Sequence, residues 1–140
     1  MDWKQFDRGV YLLNVLGIIY NPKNKKILIG KREEDLFVKG LSWCFPGGRP
    51  KYGETLEQGL KREVTIKTGL DIDIKKLIFA RVVTEKKDFL LIYYFCECSS
   101  GKARAGEKFS EVKWIKPSEV KKYFTTSVDP AILKFLKSLK

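Results

Sequence analysis

The sequence predicts an α/β fold in one domain, spanning residues 1–140. A single well-capped helix sits near the middle of the chain, from Leu56 to Thr68. Runs rich in β-branched and aromatic residues flank it on both sides, and a proline-started helix closes the chain. The length, 140 residues with 44% hydrophobic side chains, suits one core.

Met1 to Gly9 carries Trp3 and Phe6 among charges and reads as a short amphipathic lead-in. Val10 to Tyr20 is apolar and β-branched, which predicts a strand. Asn21, Pro22 and Asn24 form a turn, and Lys26 to Lys31 returns as the second strand of a hairpin. Lys31 and Arg32 end that strand, Glu33 to Leu41 reads as a loop, and Trp43 to Phe45 as a short strand. Pro46, Gly47, Gly48, Pro50 and Gly53 then make a rigid, exposed loop.

The central helix is predicted from its ends. Thr55 with Gln58 makes a capping box, so the helix starts at Leu56, with Leu56 and Leu60 toward the core. Gly69 supplies a left-handed stop. Glu63, Ile66 and Lys67 share one face, because residues three and four apart are neighbours on a helix. Beyond it, Leu70, Ile72 and Ile74 alternate, and Leu77 to Thr84 forms a strand. Glu85 to Asp88 is a polar turn, Phe89 to Cys98 a long partner strand, and Ser99 to Gly106 a mobile loop. Lys108 to Ile115 is the last strand. Pro117 opens a short helix over Ser118 to Phe124, and Asp129-Pro130 caps a final one.

The stretch from Gly48 to Leu70 resembles the Nudix box, G-x5-E-x7-R-E-U-x-E-E-x-G-U with U a bulky aliphatic. Gly48, Glu54, Arg62, Glu63, Val64, Gly69 and Leu70 fall on its defining positions at the right spacing. Ile66 and Lys67 stand where the box has glutamates, so the box is degenerate. Membership of the Nudix hydrolase superfamily implies an α/β/α sandwich with a mixed central sheet. From Ile27 to Leu70 (ILIGKR, W-x-FPGGR, ETLE) the chain looks most like the GDP-mannose mannosyl hydrolase branch. That branch keeps the second of the paired glutamates, which here is Lys67.

The resemblance assigns roles residue by residue. Arg32 and Arg49 flank the glycine loop and match arginines that contact the diphosphate or leaving group; a guanidinium grips phosphate oxygens in pairs. The family pairs the Glu54 and Arg62 positions in an ion pair. Glu63 is the surviving ligand-type carboxylate of the helix. With the Gly48 carbonyl and Glu54 it forms the candidate site for a weakly held magnesium, an ion that takes one or two carboxylates plus substrate phosphates. Lys67, one turn from Glu63, either neutralises that carboxylate or stands in for the metal as a fixed charge against phosphate. Glu107 and Glu111 precede Trp114; related hydrolases take a general base from this region, and Glu107 is the candidate, with a solvated loop glutamate as the plain alternative. Tyr93 and Tyr94 point to opposite sheet faces, so only one can meet a base or sugar.

Composition narrows the function classes further. The absence of histidine excludes zinc–histidine sites, Ser-His triads and a histidine base. A formal charge of +11 favours anionic partners such as nucleotides or RNA, although spread lysines also serve solubility. Three cysteines suggest reduced thiols and a cytoplasmic setting. The longest apolar run, Phe89 to Cys96, is too short to cross a bilayer. The expectation is a protein that binds, and in its active form hydrolyses, a nucleoside diphosphate linked to another moiety, a nucleotide sugar first. The alternative is an inactive Nudix module that binds nucleotide or RNA. A homodimer is compatible with either.

Overall fold

The computed structural model describes residues 9–33, 42–83, 88–98 and 101–139. The amphipathic lead-in, most of the Glu33–Leu41 loop and most of the Glu85–Asp88 turn lie outside these residues. The strands are β1 (Leu12–Asn21), β2 (Lys26–Arg32), β3 (Trp43–Cys44), β4 (Gly47–Gly48), β5 (Asp73–Val83), β6 (Phe89–Glu97) and β7 (Phe109–Ile115). Helix α1 spans Leu56–Thr68, α2 Val120–Tyr123 after a 3-10 turn at Pro117–Glu119, and α3 Pro130–Ser138.

The strands form one mixed sheet in the order β3-β2-β1-β6-β5, with β4 paired to β1 and β7 to β2. β1 runs parallel to β6 over its whole length, from Leu12 opposite Phe89 to Tyr20 opposite Glu97. The other pairings are antiparallel. Strands with both faces covered read as continuous apolar runs, which is why β1, β2 and β6 stand out in the sequence.

Each sheet face carries its own core. On one face Leu60 and Val64 of α1 pack with Val15, Ile19, Leu28, Leu70 and Ile72, all buried. On the other, Ile132 and Leu136 of α3 pack with Ile18, Tyr20, Ile27, Ile29 and Ile115. Helix, sheet and helix make the predicted α/β/α sandwich. Tyr94 belongs to the first core and Tyr93 to the second, as period-two alternation requires.

Three local expectations are corrected. The Gly47–Gly48 part of the loop is strand, because it pairs through backbone with Leu16 and Val15. A Cβ on Gly47 would lie 2.0 Å from the Val15 carbonyl oxygen, so this approach tolerates no side chain. β5 starts at Asp73 rather than Leu77, with register shifts between Ile74 and Lys76 and between Leu77 and Phe79 that break its alternation. The described part of the Ser99–Gly106 loop is tied down: Arg104 and Gly106 donate backbone N–H groups to the carbonyls of Thr68 and Lys67. The helix C-terminus needs such donors for its last carbonyls.

Candidate functional site

The site grows from β4, the loop after it and α1. Thr55 Oγ1 accepts from Gln58 N at 3.1 Å and Gln58 Oε1 from Thr55 N at 2.9 Å, which fixes where α1 begins. At the far end Gly69 adopts φ 76°, a left-handed conformation that favours glycine. Between these caps, Arg62, Glu63 and Lys67 face the β4 strand.

Arg62 is the hub. Its Nε donates to Glu54 Oε2 at 2.8 Å and one terminal nitrogen to Glu54 Oε1 at 3.0 Å, a paired contact. The other terminal nitrogen donates to Glu63 Oε1 at 3.0 Å, and Arg62 also reaches the Arg49 carbonyl at 3.1 Å. Glu54 Oε1 accepts in addition from Lys51 N at 2.7 Å. The hydrogen bonds from Arg62 hold the Glu54 carboxyl down at about 2, and the same bonds raise the guanidinium further.

Lys67 turns back over β4. Its ammonium donates to the Gly47 carbonyl at 2.5 Å and lies 3.4 Å from Glu63 Oε2. Burial pushes the lysine below its ordinary value, the Glu63 carboxylate opposes that, and the nearby Arg32 charge adds to it. Gly48 completes the arrangement, since a Cβ there would lie 2.5 Å from Glu63 Cδ. The structure therefore brings Gly48, Glu54, Glu63 and Lys67 together, with Arg32 within electrostatic reach. Arg49 keeps its side chain exposed on the loop. Glu107 is exposed, and its backbone N–H donates to the Ile66 carbonyl at 3.3 Å, beside the last turn of α1.

A divalent ion needs several oxygen ligands turned toward it. Here both oxygens of Glu54 and of Glu63 already accept from Arg62, Lys51 or Lys67. Among the described residues no three His, Cys, Asp or Glu side chains converge on a metal-sized site. As arranged, the donor set fits the Lys67 ammonium rather than a magnesium ion.

Sequence reasoning missed two participants. Cys44, half-buried on β3, lies within electrostatic range of Lys67. Gly106 lets its loop lie flat on α1, because a Cβ there would lie 2.0 Å from the Ile66 carbonyl oxygen. A lone glycine in a polar loop was the only signal for it. Cys96 and Cys98 are buried in the core, and burial pushes the Cys96 thiol up to about 12.

Fold and site together define a mixed-sheet α/β/α domain with a glycine-strand, loop and capped-helix site. A family model described as NUDIX domain matches residues 10–136, and the chain belongs to the Nudix family. It is 25% identical over 111 residues to a MutT-like protein of Streptomyces ambofaciens, covering 79% of this chain and 68% of that one. To the nucleoside triphosphatase NudI of Escherichia coli it is 26% identical over 110 residues, covering 69% and 77%. Among solved structures, a MutT protein from Methanosarcina mazei superposes with TM-score 0.72 at 19% identity, over 91% of each chain. The Nudix domain of NrtR from Shewanella oneidensis, solved with ADP ribose, gives TM-score 0.70 at 22% identity over 98% and 90%. Among the described residues no helix is long and apolar enough to cross a membrane.

Proposed function

We propose that this Nudix-hydrolase-like chain binds a nucleoside diphosphate linked to another moiety, a nucleotide sugar first, with Lys67 as the fixed cation of the site. One observation carries the reading: the Lys67 ammonium lies between the Gly47 carbonyl and the Glu63 carboxylate, on the helix face that meets β4. A positive charge held there offers phosphate oxygens what a metal would otherwise offer. Arg32 and Arg49 supply the paired donors that a diphosphate takes. Magnesium is weakly bound or dispensable on this reading.

Two further points support the ligand class. The ADP ribose in the NrtR complex is itself a nucleoside diphosphate joined to a sugar. Local sequence supports the GDP-mannose mannosyl hydrolase branch within this class. A single domain over residues 1–140 and a cytoplasmic setting belong to the same proposal.

A second reading is magnesium-dependent hydrolysis by Glu63 and Glu107, with Gly48 and Glu54 beside the metal. It is favoured by the Glu107 backbone contact to Ile66, which sets that residue beside the last turn of α1. Calorimetry with ADP ribose and GDP-mannose, in magnesium and again in a chelator, tests the main reading. Equal affinities in both are expected. Binding found only with magnesium overturns it and restores the enzyme.

A further inference from the structure

On the α3 side of the sheet, away from Lys67, Trp43 and Tyr123 pack edge to face with ring centroids 5.6 Å apart at 73°. The Lys113 ammonium stands 5.0 Å from the Tyr123 ring centroid and that of Lys122 6.0 Å. Lys31 lies directly opposite Trp43 in the β2–β3 register, so its side chain leaves the same face. The three lysines are exposed and the two rings half-buried. Core packing explains why the rings are there; it does not explain two ammonium groups at the Tyr123 ring and a third lysine on the same sheet face. Glu111 opposes Lys31 in the ladder with β7 and, with Glu119, acts on Lys113. Cations nonetheless prevail, in a chain whose formal charge is +11.

We propose that the Trp43–Tyr123 pair with Lys31, Lys113 and Lys122 is a binding surface for single-stranded nucleic acid. The lysines meet backbone phosphates, and the rings meet unpaired bases, whose flat faces stack on aromatic side chains whatever the sequence. A duplex hides those faces, so a single strand is the form that fits. An acidic protein would meet the lysines alone and make no use of the exposed parts of the rings. The surface is separate from the diphosphate site and does not depend on it.

The test is a fluorescence anisotropy titration of the full chain with a labelled oligouridylate, beside competition by polyphosphate and by polyglutamate. Binding is expected to weaken steeply with salt and to quench tryptophan emission, and the quench should be lost in Trp43→Phe. Lys113→Glu and Lys122→Glu should each weaken binding by about ten-fold, Tyr123→Leu by about ten-fold or more. Lys23→Glu, on the β1–β2 turn, should leave it unchanged. Polyphosphate or polyglutamate competing as well as unlabelled oligouridylate would overturn the proposal, as would full affinity in both lysine variants or no binding at all. If Tyr123→Leu fails to fold, the exposed lysine variants decide. ADP ribose calorimetry on the same variants should be unaltered, which separates this surface from the diphosphate site.

Discussion

Lys67 donates its ammonium to the carbonyl oxygen of Gly47 at 2.5 Å, joining the last turn of α1 to the short strand β4. The bond exists because β4 is held against β1 through Gly47 and Gly48, which leaves the Gly47 carbonyl facing the helix. Helix face, glycine strand and cation are thus one unit. A polar group this enclosed is costly unless it finds partners, and Lys67 has two, Gly47 and Glu63.

The unit depends on the phase of α1. Leu60 is fully buried against Val15, Ile19 and Val64. Leu60→Ala should cost ~2–5 kcal/mol, the usual range for a buried large-to-small change. Denaturant titration gives the number, and a loss well below 2 kcal/mol would contradict this packing.

The Glu54–Arg62 pair predicts how the protein responds to acid. Glu54 titrates at about 2 in the folded chain against an ordinary 4.5, held down first by the Arg62 hydrogen bonds. A carboxyl depressed by folding stabilises the fold above its unfolded value, and that contribution fades as pH falls through the folded one. The stabilisation should therefore be complete above pH 4.5 and disappear toward pH 2. Glu54→Gln should unfold with a shallower pH dependence across this window. Identical acid-unfolding curves for the two proteins would remove the pair from the account.

Diphosphate binding should depend on Arg32 and Arg49 as forks and not merely as charges. Arg32→Lys and Arg49→Lys keep the charge and lose the paired hydrogen bonds, so each should weaken ADP ribose binding by about ten-fold. Calorimetry on both variants reads this directly. Unchanged affinity in the pair would exclude the two arginines from the site.

Most of the fold was legible because its signals are local. The α1 caps need only Thr55, Gln58 and Gly69, and α3 needs only Asp129, whose Oδ1 accepts from Ala131 N at 2.9 Å, and Pro130. What escaped depends on partners far away in sequence. Gly47 and Gly48 have no side-chain pattern to announce a strand; only pairing with β1 makes them one. The register shifts in β5 spoil its alternation around Lys75 and Lys76. The loop before Glu107 looked free because its anchors are the Ile66, Lys67 and Thr68 carbonyls. The same limit holds at the site. Spacing set Glu63 and Lys67 on one face, whereas the Gly47 oxygen and the neighbouring Cys44 required the sheet.

Reversing the charge of Lys67 separates the two readings of the site. Lys67 lies one helical turn from Glu63, where the Nudix pattern carries a glutamate, and its ammonium rests on an oxygen-lined position. Lys67→Glu places two carboxylates on one helix face and frees the Gly47 carbonyl, giving magnesium the oxygen ligands it prefers. If Lys67 is the fixed cation, the variant should lose metal-free ADP ribose binding by about ten-fold or more and gain binding that rises with magnesium. A charged group lost from a phosphate contact has an effect of that order. Loss of stability is a separate outcome, read by thermal unfolding with and without magnesium; the two carboxylates repel, so the metal should raise the midpoint of the variant and leave wild type unmoved. Ile66 still denies the site one further oxygen, so turnover in the variant should stay slow. The opposite pattern is equally plain: robust magnesium-dependent turnover by the unmodified chain, abolished by Glu63→Gln, would make Glu63 a working ligand and Lys67 a bystander.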